Sequence, residues 1–281
     1  MPLLVTSAAG ANGDGYGAVL EFDLNGKPRG LFSDDARISD PRGLGVDRDD
    51  GLLFLNCGSD RVLALDPNGQ VIRDTGPIQD LNPGGGNFGP DGRYYVGLRS
   101  ARTIMAFTTA LNAPPEPVLP KCVVPFPRGF AFGRDGELFL ASGTGPTGEG
   151  DNTIIAFAAG GLLTSWRVED PDLSPLDLAI APNGNILVAS EYPFGAPNAT
   201  TTIREYDATE GDLVRVFSPG GLAEFQKPRG LRIGPDGYLY CVARDEVVVF
   251  DFETSKCLGP IIQLPGLNGQ ALAFLPSHHG G

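Results

Sequence analysis

The sequence has few residues of the kinds used in zinc sites, redox centres and histidine-based catalysis. It contains two histidines, His278 and His279, one tryptophan and two methionines among 281 residues. Its four cysteines, which we interpret as buried free thiols, form no C-x-x-C pair; they are Cys57, Cys122, Cys241 and Cys257. We therefore expect neither a zinc centre, nor a dithiol, nor a Ser-His-Asp triad.

Positive charge and long apolar runs are also scarce. Lys and Arg number 21 against 34 Asp and Glu, so the formal net charge is −13, and such a chain repels the phosphates of nucleic acid. No run approaches the roughly 18 apolar residues of a membrane span, and the first residues lack the basic stretch of a signal peptide. We expect a monomer without a nucleic-acid or membrane partner, located in the cytoplasm or secreted after removal of a leader.

Helical periodicity is nearly absent, whereas turn residues are abundant and one motif recurs along the chain. The sequence has 40 glycines and 25 prolines, and the motif reads P-R-G-large-small-large-x-x-D-G. Its copies begin at Pro41, Pro83, Pro127, Pro175 and Pro228, and a sixth, incomplete copy begins at Gly269. The glycines of the D-G and N-G turns lie 41 to 53 residues apart, which is the period of a four-stranded propeller blade.

Each repeat contains the strands that such a blade requires. An apolar second strand follows the turn, and a third strand ending in an aromatic residue or Leu comes next. The first strand alternates large and small residues, as in Leu44 and Val46 beside Gly43 and Gly45, which suits sheets that converge on an axis. Arg232 interrupts the small set, and we expect it to bend outward.

The two ends of the sequence complement each other. The sixth copy stops after its first strand, while the N-terminal region supplies three further strands, at 3–7, 17–23 and 27–33. Sharing one blade between the ends would close the ring and remove exposed sheet edges. The sequence therefore predicts one all-β domain over residues 1–281, a six-bladed propeller of four-stranded blades.

The repeated motif resembles the NHL repeat and, more distantly, the propellers of the SMP-30/gluconolactonase group. This resemblance covers essentially the whole chain and implies the fold, but propellers host hydrolases, lyases and binding proteins alike. In SMP-30-like hydrolases, carboxylate and Asn side chains hold a divalent metal, two of them at the residue before the motif glycine. This chain departs from that pattern, because the position holds Arg42, Gly84, Arg128, Leu176, Arg229 and Gln270.

Three arginines share that motif position in every second blade. A six-fold ring would place Arg42, Arg128 and Arg229 about 120° apart around the channel mouth. Guanidinium groups form bidentate hydrogen bonds with carboxylate and phosphate. We therefore hypothesise that these arginines, with Gln270 of the closing copy, bind an anionic ligand. The alternative is that the arginines fill a tolerant position and pair with acidic neighbours such as Asp40 or Glu169.

Side chains with oxygen donors lie at or just before the first strands. Asp40, Asn82, Asp177 and Asn268 are candidate ligands for Ca²⁺ or Mg²⁺, since hard cations prefer oxygen; the alternative is that they cap turns. Three longer Gly- and Pro-rich loops, at 8–16, 143–152 and 192–201, are expected on the same face and are further candidates for binding.

These observations are compatible with three alternative functions. The first is an NHL-like propeller that binds a small or peptide-like anionic ligand at the channel mouth. The second is a lactonase-like hydrolase or a lyase that uses carboxylates and a divalent cation. The third is a protein-interaction scaffold. The sequence identifies no catalytic residue and leaves open whether the protein is an enzyme.

Overall fold

The computed structural model describes residues 1–10, 17–47, 49–143, 152–191, 201–220, 222 and 225–276. This part of the chain is built of strands and turns, with no helix and hence no helix able to cross a membrane. The strands form six four-stranded antiparallel sheets. The innermost strand of each sheet contacts that of the next, and the last contacts the first, so the sheets form a ring. The predicted all-β, six-bladed propeller is confirmed.

The strand boundaries follow the predicted repeats. The N-terminal strands are β1 (Leu3–Ser7), β2 (Ala18–Phe22) and β3 (Pro28–Ser33). Blade 1 consists of β4 (Pro41–Val46), β5 (Leu53–Cys57), β6 (Arg61–Leu65) and β7 (Val71–Asp74). Blade 2 consists of β8 (Pro83–Phe88), β9 (Tyr94–Leu98), β10 (Thr103–Phe107) and the short β11 (Glu116–Pro117).

The remaining blades repeat this order from the axis outward. Blade 3 consists of β12 (Pro127–Phe132), β13 (Leu138–Ser142), β14 (Thr153–Phe157) and β15 (Leu163–Val168). Blade 4 consists of β16 (Pro175–Ile180), β17 (Ile186–Ser190), β18 (Thr202–Tyr206) and β19 (Leu213–Phe217). Blade 5 consists of β20 (Pro228–Ile233), β21 (Leu239–Ala243), β22 (Glu246–Phe250) and β23 (Cys257–Gln263), and β24 (Gly269–Phe274) follows.

Blade 6 is formed from both ends of the chain, as predicted. Its strand order is β24-β1-β2-β3, and β1 pairs with β24 in antiparallel register, with Leu3 opposite Phe274 and Val5 opposite Leu272. The hydroxyl of Thr6 accepts hydrogen bonds from the backbone N–H groups of Gln270 and Ala271. The N-terminal strands are thus joined to the inner strand by both backbone and side-chain bonds.

The core is divided into six apolar clusters, one between each pair of neighbouring blades. The large first-strand residues are buried in these clusters, as Leu44, Phe130, Leu178, Leu231 and Leu272 show. The turn glycines have φ between 70° and 97°, a left-handed conformation that glycine adopts without a Cβ penalty. The sequence pattern therefore fixes both the inner faces of the blades and the turns between their strands.

The interpretation of all four cysteines as buried thiols is correct for two of them. Cys57 and Cys241 are buried in β5 and β21, whereas Cys122 is exposed and Cys257 is half-buried, and all four are free. The difference follows from position, because Cys122 lies in a turn ahead of β12 and Cys257 begins the outermost strand of blade 5. The interpretation is wrong for these two residues.

Candidate functional site

The first strands contain a β-bulge that directs the motif side chains towards the channel. In blade 1, Pro41 pairs with Cys57 and Gly43 with Asn56, so Arg42 is an extra residue in its strand. Register shifts at the same position occur in blades 3 and 5, around Arg128 and Arg229. A bulge of this kind bends the strand locally and redirects the side chain it carries. The motif therefore places these arginines at the mouth of the ring.

A cavity of about 40 Å³ lies at this mouth. Arg42, Arg128, Arg229 and Gln270, the predicted ligand-binding residues, all line it. Glycines of the first strands form part of its wall, namely Gly43, Gly84, Gly85, Gly86 and Gly129. One of these segments is held by Asn56, which donates a hydrogen bond to the carbonyl of Gly84 and accepts one from the Tyr94 hydroxyl. The structure brings the four predicted residues together on rigid elements.

Arg42 is paired within the protein. Its guanidinium contacts the Asp40 carboxylate, Nη2 to Oδ2, at 2.7 Å and donates to the side-chain oxygen of Asn82 at 3.0 Å and the carbonyl of Pro83 at 2.9 Å. The alternative interpretation, that an acidic neighbour offsets the motif arginines, therefore holds for Arg42 and Asp40. Glu169 has a different partner, Arg167, at 3.4 Å.

Arg128 and Arg229 are half-buried at the same mouth. The guanidinium of Arg128 lies over the Phe126 ring, 4.7 Å from its centroid, and Arg229 donates to the side-chain oxygen of Gln270. Burial lowers the pKa of both arginines, while the charge of Glu191 acts in the opposite direction. Each guanidinium thus bears a desolvation cost that a nearby anion offsets.

A fourth cavity arginine, Arg99, was not predicted from the sequence. It follows β9 directly, and a Cβ at Gly84 would lie 3.5 Å from its Nε, so it occupies the space left by the missing motif side chain of blade 2. Burial and the charges of Arg42, Arg128 and Arg229 lower its pKa to about 9, although the charge of Asp40 acts in the opposite direction. Within the described ranges, nothing accepts a hydrogen bond from its buried Nε.

Sequence comparison at a second position would have identified Arg99. The residue directly after the second strand is Ala8, Gly58, Arg99, Gly143, Glu191 or Arg244, depending on the blade. Loops after second strands reach the same face as the motif position. The charged residues Arg99 and Glu191 are the two members of this set that affect the electrostatics of the cavity.

Asp177 and Arg232 form a second feature of the cavity. The Arg232 guanidinium contacts the Asp177 carboxylate of the neighbouring blade at 3.0 Å, and the N–H of Leu231 donates to the same oxygen at 3.0 Å. Burial raises the pKa of Asp177, although Arg232 and backbone N–H groups lower it in part. The expectation that Arg232 bends outward is wrong, because this carboxylate draws it into the channel.

A glycine of blade 3 leaves the space that the Asp177 side chain occupies. A Cβ added to Gly129 would lie 2.2 Å from the Asp177 Oδ1 atom, so only glycine fits opposite this carboxylate. Asp177 takes the motif position that is glycine in most other blades. It therefore contacts blades 3 and 5 from blade 4.

Three of the four predicted metal ligands have side chains that bind arginine: Asp40 and Asn82 bind Arg42, and Asp177 binds Arg232. For Asn268 the hydrogen bond is to its backbone carbonyl, which accepts from the side-chain amide of Gln270 at 3.3 Å. Asp40, Asn82 and Asn268 also have φ between 33° and 45°, which Asn and Asp tolerate in turns. In the described part of the chain, no three His, Cys, Asp or Glu residues lie close enough to share a metal. Calcium or magnesium binding stays a prediction.

The three loops proposed as binding elements lie largely outside the described residues, which omit 11–16, 144–151 and 192–200. Both histidines, His278 and His279, also fall outside them. The candidate site is therefore built from the strands, their turns and Glu191.

Comparison with known proteins supports the fold. No family profile matches the sequence, and no curated protein is significantly similar to it. Solved structures do match. A gluconolactonase from Xanthomonas campestris superposes with a TM-score of 0.65 at 18% identity, covering 82% of this chain and 78% of that one. A streptogramin B lyase gives 0.62 at 17%, covering 85% and 74%.

A third match comes from a nidogen/laminin complex, with a TM-score of 0.73 at 15% identity and 98% of both chains covered. These proteins include enzymes and a component of a protein complex. At such identities the likeness shows a shared propeller fold and leaves function to be argued from the site.

Proposed function

We propose that the protein binds a small anionic ligand, or the acidic group of a peptide, at the arginine-lined channel mouth. The observation that supports this most strongly is Arg99. Its Nε is buried and has no hydrogen-bond acceptor among the described residues, the charges of three other arginines act on it, and no described carboxylate forms an ion pair with it. A buried charge in this situation is costly unless an anion accompanies it.

The charges around the cavity favour an anion. Five arginines line it, namely Arg42, Arg99, Arg128, Arg229 and Arg232. Three described carboxylates act against them: Asp40 and Asp177 through ion pairs, and Glu191 through its charge. Of the described charged side chains that line the cavity, five are arginines and one, Asp177, is a carboxylate, in a protein whose net charge is −13. Such a local field attracts anions although the molecule as a whole is acidic.

The size of the cavity limits what enters it. Roughly 10–15 Å³ of such volume is needed for one water molecule, so about 40 Å³ admits an acidic group and little more. The rest of a ligand would lie outside, over the face that carries the loops. A peptide or a protein partner is compatible with this arrangement if it inserts an acidic group.

The hydrolase alternative requires a divalent cation at the same face. A cation there would meet the field of five arginines and would compete with Arg42 and Arg232 for Asp40 and Asp177. This argument favours the anion-binding proposal over metal-dependent hydrolysis.

Replacing Arg99 with Gln is expected to weaken anion binding about tenfold or more, since a charge-assisted hydrogen bond contributes about 1.5–3 kcal/mol. The measurement is isothermal titration calorimetry with sulfate, supported by the rise in melting temperature at increasing sulfate. Because the substitution removes a desolvated charge, the ligand-free variant should melt no lower than the unmodified protein.

Arg244→Gln is the matched control. Arg244 occupies the equivalent position after the second strand of blade 5, is 53% exposed and does not line the cavity. It changes the net charge by the same amount, and sulfate affinity should stay within about twofold of the unmodified protein, because exposed charges are screened. Equal binding by the Arg99→Gln variant and the unmodified protein would contradict the proposal.

A further inference from the structure

A second cavity lies between blades 2 and 3, at the end of the first strands opposite the motif arginines. Its volume is about 670 Å³, which is in the range of ligand-binding clefts. Residues of the turns at 89–93, 133–137 and 158–161 line it, together with β11, and we call it the blade 2/3 groove. We propose that this groove binds an arginine side chain presented by a partner protein. The proposal goes beyond anion binding and does not depend on it.

Two other pairs of neighbouring blades are bridged by an arginine of the outer strand. In blade 1, Arg73 donates a hydrogen bond to the carbonyl of Thr109, in the turn before the outer strand of blade 2, at 3.0 Å. In blade 4, Arg215 donates to the Glu205 carboxylate at 2.5 Å and to the carbonyl of Glu253, in the corresponding turn of blade 5, at 3.0 Å. Each guanidinium thus connects its own outer strand to a turn of the next blade.

The equivalent position in blade 2 is a glutamate. Arg73 and Arg215 each pair with the residue before the last one of the third strand, and in blade 2 the partner of that residue is Glu116. The Glu116 carboxylate accepts a hydrogen bond from Arg93 of its own blade at 2.8 Å. Blade 2 therefore supplies a carboxylate where blades 1 and 4 supply a guanidinium.

The facing turn of blade 3 supplies free acceptors. Ala159 and Gly160 lie two and three residues after their third strand, as Thr109 and Glu253 do in blades 2 and 5. Within the described ranges, no hydrogen bond is donated to the carbonyl of Ala159 or Gly160. The groove thus has the acceptors of an arginine bridge on both sides and lacks the arginine.

The lining of the groove suits a guanidinium on an apolar stem. Its charged side chains are three carboxylates and two arginines, namely Asp91, Glu116, Asp135, Arg93 and Arg134. The Glu116 side chain is 76% exposed, and a carboxylate has acceptor sites for a second guanidinium beside Arg93. Val118 and Phe132 are half-buried in the lining, and the methylene groups of an arginine pack well on such apolar surface.

Two exposed leucines at the rim favour a protein segment over a small molecule. Leu162 and Leu163 follow Gly161, which lines the groove, and are 75% and 57% exposed. Adjacent exposed apolar side chains beside a polar groove are typical of protein-interaction sites. A segment with apolar residues next to its arginine would contact both the groove and this rim.

The blocked peptide acetyl-Gly-Leu-Arg-Leu-Gly-amide tests the proposal, because it has no carboxylate that could enter the arginine-lined mouth. By isothermal titration calorimetry, we expect it to bind at least about tenfold more tightly than the same peptide with citrulline in place of arginine. Citrulline keeps the shape of the side chain and removes its charge.

The variant Glu116→Gln should weaken binding of the arginine peptide about tenfold and leave that of the citrulline peptide within about twofold. Glu253→Gln is the matched control, since Glu253 is exposed in a turn on the same face and does not line the groove. It changes the net charge equally and should leave the affinity within about twofold. The variant Arg99→Gln should bind the peptide normally, which separates this site from the anion site.

Several results would overturn the proposal. These are failure of the arginine peptide to bind, equal binding of the two peptides, or equal binding by Glu116→Gln and the unmodified protein. Acetyl-arginine-amide binding as tightly as the peptide would assign the groove to a small guanidinium compound instead. A dimer that Glu116→Gln dissociates, measured by analytical ultracentrifugation, would assign it to a second copy of this chain.

Discussion

Deletion of residues 270–281 is expected to abolish cooperative thermal unfolding. The deletion removes nearly all of β24, which lies between two inter-blade clusters, with Leu272 packed toward blade 5 and Ala271 and Ala273 toward blade 1. Truncating one fully buried Leu costs about 2–5 kcal/mol, and the deletion also leaves the inner edge of β1 unpaired. The combined loss is comparable with the roughly 5–15 kcal/mol that stabilises a typical domain.

Differential scanning calorimetry and near-ultraviolet circular dichroism measure this effect. Deletion of residues 277–281, which follow β24, is the matched control and should leave the melting temperature unchanged. Leu272→Ala provides an intermediate case, with an expected loss of about 3 kcal/mol. A chain lacking residues 270–281 that kept the melting temperature of the unmodified protein would disprove closure of the ring by β24.

Asp177→Ala is expected to destabilise the protein by about 3 kcal/mol, because removing one member of a buried ion pair leaves the other charge uncompensated. Arg232 would lose its carboxylate, and the N–H of Leu231 would lose its acceptor. The same substitution adds one positive charge to the cavity, so sulfate should bind more tightly although the protein is less stable. Urea denaturation measures the first effect and calorimetry with sulfate the second.

The double variant Asp177→Ala/Arg232→Ala separates a pairwise effect from a packing effect. It places small residues at both positions, as most other blades have, and should recover a large part of the lost stability because no unpaired charge remains. Additive losses from the two single substitutions would show that the ion pair between blades 4 and 5 contributes nothing.

The fold was predictable because the same sequence pattern recurs from blade to blade. Alternation of large and small residues around Leu44 recurs around Phe130 and Leu272, and a turn glycine follows the first strand of each of the five complete copies. The missing strands of the sixth copy were supplied by the N-terminal region. The alternation and the turn glycines are local in sequence, and the pairing of the two chain ends was predicted by counting the strands that each end supplies.

The cavity residues were predictable only where they occupy a position that the motif repeats. Arg42, Arg128 and Arg229 share one motif position and were found by aligning the blades. Arg99 fills the space beside Gly84 from another strand of its blade, so the motif position itself gave no sign of it. The contact between Asp177 and Arg232 joins two blades, and an alignment of single blades does not show which of their residues meet.

Anomalous diffraction from crystals grown with selenate tests the central claim most directly, because selenate has the charge and shape of sulfate and its position is identified by selenium. The account predicts a selenium peak in the channel mouth, with selenate oxygens about 3 Å from the guanidinium groups of Arg99 and Arg229, and no such peak in the Arg99→Gln variant. Selenate concentrations that saturate surface sites should also fill this site. Finding only water in the channel mouth at those concentrations would contradict the claim.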